Sequence, residues 1–207
     1  MSVPTAALLL VTLVMLMPLS AAASHRTNDS YGERYSSSLR KKIQKLDNDT
    51  VDSIPVPVLF APYTRIYPDF GDPRGGGTRV HEGQDILARE GTPILSPTDA
   101  VVTRMGKGGS AGVYVYTAAP GGETFRYMHL SEIASGVKVG VELQPGDLIG
   151  YVGDTGNAKG GPAHLHFEIR NGRKALDPYP RMDGSFDPKD LLRALPMVLE
   201  GMRKDRT

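Results

Sequence analysis

Two short stretches of this sequence carry the side chains most able to do chemistry. In His164-Leu-His-Phe-Glu-Ile-Arg170, polar and apolar residues alternate. Successive side chains on a strand point to opposite faces, so Leu165, Phe167 and Ile169 face a core while His164, His166, Glu168 and Arg170 line the other side. Imidazoles at i and i+2 lie roughly 6 to 7 Å apart at Cα, close enough to reach one ion or one substrate atom. A His-x-His pair alone is also what a plain surface strand shows, so it needs partners. The second stretch, Arg79-Val-His81-Glu-Gly-Gln-Asp85-Ile, supplies an imidazole and a carboxylate four residues apart. An extended chain would hold them roughly 13 Å apart, too far for one ion, so the segment must bend, and Gly83 permits it. A helix would also bring them together, but the fifth position of the His-Glu-x-x-His pattern is Asp here and the flanks are Gly75 to Gly77 and a strand, which rejects a helix.

His129, in Tyr127-Met-His-Leu, ends a third strand; taken alone it reads as a core or surface histidine. Set beside the others, it makes four of five histidines in one β-rich region, with no cysteine in the chain to compete as a ligand. Two His and one carboxylate with an open fourth position form a catalytic zinc set. Glu82 and Glu168 are read as structural, the first adjoining His81 in a bent loop and the second orienting its strand. His25 lies in a polar segment far from these motifs and is read as solvated.

The elements that must hold these residues are short strands. Gly and Pro make up about a fifth of the 207 residues, and between 56 and 170 apolar residues recur with period two between turn signals. Strands are expected over 56–60, 84–87, 93–95, 100–105, 113–117, 124–130, 148–152 and 164–170, with turns at 106–109, 120–122 and 145–147. The fold class is therefore all-β, an antiparallel sheet or sandwich core, with a short N-terminal linker and one C-terminal helix. That helix is capped by Asp187-Pro188 and packs through Leu191, Leu192, Leu195, Val198 and Leu199, with Pro196 set to kink or stop it near Leu195. Residues 1–23 lack charge, and Ala6 to Met17 is apolar apart from Thr12. With small residues at 21 and 23, this predicts a secretory signal peptide cleaved after Ala23, hence a periplasmic or secreted protein. The alternative is an uncleaved anchor, the one route to a membrane. Residues 24–55 read as a polar linker with one or two amphipathic turns, 56–180 as the β domain and 181–207 as helix and tail. A net charge of +1 argues against nucleic acid as a partner.

The ordered set Arg79-Val-His-Glu-Gly-Gln-Asp-Ile, Gly91-Thr-Pro, Tyr127-Met-His-Leu, Gly146-Asp-Leu-Ile-Gly, Gly153-Asp-Thr-Gly-Asn-Ala and Ala163-His-Leu-His-Phe-Glu resembles the motifs of the lysostaphin-type (LytM-like) zinc peptidases. The resemblance covers roughly 56–178. It implies one Zn2+ on His81, Asp85 and His166, with His129 and His164 as catalytic histidines, in a long groove of an antiparallel β fold. It also implies peptidoglycan peptides as substrate. Gln84 and Ala163 depart from the family's usual small or apolar residue and Pro, without touching the five site positions. Ferrous oxygenases and cupins use similar ligands at other spacings. The rival from another class is a metal-free LytM-like module that activates another wall hydrolase; the five filled positions weigh against it. No wall-binding module is evident beside the β core, which favours the direct D-alanyl to diaminopimelate cross-link over glycine bridges. The groove loops 63–77 and 106–112 are expected to set specificity, and the tract 31–50 either to occlude the groove or to serve as a spacer.

Overall fold

The computed structural model describes residues 35–204, so the signal segment and His25 lie outside the described residues. In chain order the described part comprises α1 (Ser37–Ile43), β1 (Pro73–Arg74), β2 (Arg79–Val80), β3 (Gln84–Leu87), β4 (Pro93–Leu95), β5 (Ala100–Gly108), β6 (Gly112–Ala118), β7 (Thr124–Ile133), β8 (Glu142–Leu143), β9 (Leu148–Val152), β10 (His164–Asn171), β11 (Lys174–Leu176) and α2 (Pro188–Lys204), with short 3-10 turns between. All strand pairs are antiparallel. The main sheet runs β11-β10-β7-β6-β5-β8, with β3 added to β10 and the β4-β9 pair added to β7. The all-β reading holds, and β1 and β2 form a separate small hairpin.

The alternation in β10 comes out as expected: Leu165, Phe167 and Ile169 are fully buried. Phe167 meets Phe125 edge-on at 5.5 Å and Tyr127 at 5.3 Å between ring centroids, which fixes the inner face of β10 against β7. The residues of β10 that chemistry needs are thereby held on the opposite face.

Three expectations need correction. Residues 56–60 form no strand, only a single bridge between Val58 and Ile94. Pro55 and Pro57 carry no N–H, so a ladder cannot run through them, although Leu59 N–H still reaches Pro93 O and Leu95 N–H reaches Pro57 O. The C-terminal helix runs on through Pro196. Proline there lacks the N–H that would donate to the carbonyl of Leu192, a residue 69% exposed, so that carbonyl is open to a solvent donor instead. Its packed side is also narrower than expected: Leu191, Ala194 and Val198 join the core, while Leu192, Leu195 and Leu199 are exposed. Within the N-terminal segment, α1 buries Leu39, and Lys42 Nζ donates to Gly140 O at 2.7 Å, on the β5 side of the sheet. None of residues 35–55 lines either cleft beside the histidines.

Candidate metal centre

Asp85 on β3 lies directly opposite His166 on β10. The Asp85 N–H is not spent on β10; it donates to Asp69 Oδ1 at 3.2 Å. The pair is therefore the narrow, non-hydrogen-bonded kind, whose side chains stand closest, and His166 Nδ1 lies 2.8 Å from Asp85 Oδ1. His81 comes from the other side, after β2, and the bend between it and β3 is the one that ligand reach demanded. A loop pins it there: His81 N–H donates to Asp72 O, and Gly71 N–H to His81 O, both at 2.9 Å. His81 Nε2 then stands 3.0 Å from Asp85 Oδ1 and 2.8 Å from His166 Nδ1.

Gly83 allows this bend for a reason the sequence does not reveal. Its φ is not in the left-handed region. Instead a Cβ there would sit 2.6 Å from Phe167 O and 2.7 Å from His166 Nε2, so the backbone must pass bare beneath the His166 ring.

The three inner atoms form a triangle with sides of 2.8 to 3.0 Å. A tetrahedral zinc with bonds near 2.05 Å wants its ligands about 3.3 Å apart, so small ring rotations would open the triangle enough. The outer nitrogens are committed: His81 Nδ1–H donates to Asp69 O at 2.9 Å, and His166 Nε2–H to Glu168 Oε1 at 3.2 Å. With those outer nitrogens as donors, each ring turns its other nitrogen toward the centre, as ligating histidines require. The 2.8 Å gap between His81 Nε2 and His166 Nδ1 has room for at most one proton, so a lone pair faces the centre in any protonation state. His81, Asp85 and His166 thus fit a divalent cation, and they are the one such cluster among the described residues.

The electrostatics agree. Burial opposes a charge on His81, but its bonds to Asp69 and Asp85 prevail and raise its pKa to about 9. Burial would raise Asp85, yet His166 and His81 hold its carboxyl well below the usual carboxylate range. Burial works against charge on His166 too, and Asp85 and Glu168 nevertheless raise it. Protons bound this firmly occupy atoms that a metal would take over, so metal binding would release them.

His129 and His164 flank the cluster. Their ring centroids are 5.0 Å apart, and that of His129 is 5.8 Å from His166. His129 has a left-handed backbone, φ 64°, at a point where β7 carries one residue more than β6 between paired positions. Such a bulge costs a non-glycine residue roughly 1 to 2 kcal/mol and re-aims its side chain. Its Nδ1–H donates to Thr155 O at 2.9 Å, and Thr155 Oγ1 bonds Leu130 O and Val113 N–H, tying the 153–158 motif to the bulge. Burial, then the neighbouring His164 and His166, lower the His129 pKa to about 4. His164 Nδ1–H donates to Pro162 O at 2.9 Å, and its Nε2 lies 3.7 Å from Asp85 Oδ1.

All five anticipated residues therefore meet in one place. The sequence reading missed the groups behind them. Asp69 and Arg74 come from the loop read only as a specificity loop; Arg74 Nη2 reaches Asp69 Oδ2 at 2.9 Å and the outer Asp85 Oδ2 at 3.2 Å, which leaves Oδ1 for the centre. Gln84, noted as a departure without effect, is buried and donates to Tyr67 O, to Asp69 Oδ1 and to Asp85 O, so it positions the residue that orients His81. Glu168 does more than orient its strand: it holds His166 while receiving Arg126 Nη1 at 3.1 Å and Arg170 Nη1 at 2.9 Å, and Arg170 Nη1 also reaches Glu82.

Two clefts meet at the centre, and Asp85 and His164 line both. One, of about 470 Å³, is polar and flanked by Arg74, Arg79 and Arg126. The other, of about 1140 Å³, runs past β3 to Phe60 and Tyr67.

Comparison with known proteins adds to this geometry. The family model described as peptidase family M23 matches residues 79–178. The L-Ala--D-Glu endopeptidase of Bacillus subtilis is 37% identical over 123 residues, covering 55% of this chain and 38% of its own length. The DD-carboxypeptidase/endopeptidase Mpg of Neisseria meningitidis serogroup B is 37% identical over 120 residues, covering 56% of this chain and 26% of its own. The chain thus spans well under half the length of these curated relatives. Among solved structures, the catalytic domain of the antimicrobial peptidase lysostaphin from Staphylococcus simulans superposes with a TM-score of 0.51 at 28% identity, covering 59% of this chain and 96% of that one.

Proposed function

The chain carries a domain of peptidase family M23, and from that premise we propose that it is a zinc metalloendopeptidase that hydrolyses peptide cross-links of bacterial peptidoglycan. His81 Nε2, Asp85 Oδ1 and His166 Nδ1 hold one zinc ion. Bound in such a set, zinc lowers the pKa of a water towards ~7 and polarises a carbonyl. The observation that carries the reading is the convergence of these three atoms within 3.0 Å, with the outer nitrogens of both rings held from behind by Asp69 and Glu168.

His129 and His164 perform the proton work. Each commits Nδ1–H to a backbone carbonyl, which leaves Nε2 to exchange a proton with the reactants. One takes the proton of the attacking water and the other stabilises charge on the former carbonyl oxygen. Burial keeps His129 neutral at physiological pH, so its Nε2 lone pair is available there. The exposed Arg79 at the edge of the polar cleft suits a carboxylate of a stem peptide, and the two curated relatives are named as an L-Ala--D-Glu endopeptidase and a DD-carboxypeptidase/endopeptidase. Within that class we assign the D-alanyl to diaminopimelate cross-link, in line with the DD-specificity in the Neisseria relative's name. The protein acts in the periplasm or outside the cell, exported by residues 1–23.

Metal analysis of the purified protein should give one zinc per chain. Mass spectrometry after incubation with defined dimeric muropeptides should show monomers, and pentaglycine should stay intact. Cleavage of pentaglycine alone would overturn the bond assignment. Absence of both zinc and cleavage would favour the metal-free activating module.

A further inference from the structure

We propose that the open edge of β3 at Leu87 is a substrate-backbone subsite that takes an extended peptide as an added strand, on the apolar side of the metal centre. The proposal deepens the function given above and rests on it.

β3 pairs with β10 along one edge, and among the described residues no strand lies on the other. Hydrogen-bonding direction alternates along an antiparallel strand, and two bonds fix the phase here. Ala88 N–H donates to Ala163 O, so even-numbered residues face β10. His164, opposite Leu87, sends its own N–H away from β3, to Gly153 O. Asp85 and Leu87 therefore turn their backbone groups outward. At Asp85 both are taken, the N–H by Asp69 Oδ1 and the carbonyl by Gln84 Nε2 at 3.1 Å. At Leu87 no described group receives either, and the edge opens on the 1140 Å³ cleft, whose far wall includes Leu59 to Pro62.

The surroundings suit an extended peptide. Phe60, Tyr67 and Leu87, exposed by 90%, 76% and 68%, all line this cleft and offer apolar cover to whatever lies in it. Leu87 is two residues from Asp85, about 6.7 Å along the strand, or one dipeptide from the centre. Because Asp69 closes the edge at Asp85, an added strand pairs at Leu87 and must leave the edge where His164 and Asp85 stand. That departure puts a peptide bond over the metal centre instead of letting the strand pair onward. Recognition through main-chain bonds tolerates the mixed chirality and side-chain linkages of stem peptides, since it reads N–H and C=O groups first.

The test uses the zinc-loaded full chain and a D-alanyl to diaminopimelate cross-linked muropeptide dimer, with analogues N-methylated at one amide at a time away from the scissile bond. One analogue should raise KM about 3- to 10-fold at nearly unchanged kcat, the size of one main-chain hydrogen bond. Leu87→Pro removes the outward N–H, which would donate to a substrate carbonyl, without breaking a ladder bond, and should raise KM for the unmodified dimer similarly; Leu87→Thr, which keeps the amide, should raise it less. Uniform KM across the analogues overturns the subsite while leaving the enzymatic function standing. If the dimer is not cleaved, the enzymatic function falls. Hydrogen exchange at the Leu87 amide, followed with excess dimer on the metal-free full chain, then decides the subsite alone: several-fold slowing upholds it and an unchanged rate overturns it.

Discussion

Replacing Gly83 by alanine should remove the metal without touching a ligand. Ordinary contact for a Cβ begins near 3.4 Å, and the new methyl would lie 2.6 Å from Phe167 O and 2.7 Å from His166 Nε2, short by about 0.8 and 0.7 Å. Phe167 O belongs to a strand held on both sides, by β3 and by β7, and cannot retreat. The His166 ring must move instead. Metal–ligand distances tolerate about 0.2 Å, so a displacement near 0.7 Å takes His166 Nδ1 out of the set. Disturbing a ligand's support typically costs 10- to 100-fold in affinity, and displacing the ligand itself should cost at least about 100-fold. Overpacking adds roughly 1 to 3 kcal/mol of destabilisation, a fall in Tm of about 2 to 12 °C for a domain of this size. Chelator competition measures zinc affinity, and circular dichroism verifies that the variant is folded. A folded Gly83→Ala protein with wild-type zinc affinity would refute the reasoning.

His81→Ala and Asp85→Ala should abolish stoichiometric zinc, whereas His129→Ala and His164→Ala should keep it and lower kcat by about 10² to 10⁴, measured by metal analysis and muropeptide turnover. Metal-free protein should be most stable near pH 6.5. Above that, His81 holds its proton in the folded state up to about pH 9 while the unfolded chain loses it, so stability falls as pH rises through this window; below it, His129 resists protonation down to about pH 4 while the unfolded chain accepts a proton, so stability falls as pH drops. Urea titrations across pH should show both limbs, zinc should suppress the alkaline one, and His129→Ala should flatten the acid one. Glu168→Gln should destabilise the fold by about 3 to 5 kcal/mol, because Arg126 and Arg170 lose a shared buried anion; a change below 1 kcal/mol in denaturant unfolding would count against that account.

What the sequence made legible was whatever strict geometry imposes. β10 had to alternate because one of its faces is core, and His81 to Asp85 had to bend if both were to reach one ion, as their 3.0 Å approach allows. Groups supplied by irregular backbone left no period to read: Asp69 and Arg74 act from a loop, and nothing in their spacing points at His81 or Asp85. The bulge at His129 was hidden for a related reason, since one added residue in β7 reverses the side-chain alternation beyond it without altering composition. At 56–60 the apolar alternation was real but Pro55 and Pro57 vetoed the ladder. In α2 five apolar positions competed for a contact that only the Leu191, Ala194 and Val198 side satisfies.

The row of charges behind His166 bears on how this protein can change over generations. Arg126, Glu168 and Arg170 are nearly buried, so exchanging Glu168 alone, or both arginines together, strands a charge. Replacing all three by well-packed apolar residues could spare stability, as a buried ion cluster often contributes little net. That joint route is closed here, because the other oxygen of Glu168 holds the His166 tautomer. Substitutions at these positions should therefore show strong pairwise epistasis: Arg126 becomes replaceable only when Arg170 still neutralises Glu168, and Arg170 only when Arg126 does. A combinatorial mutational scan of the three sites would find its survivors grouped around an intact Glu168 with at least one of the two arginines kept.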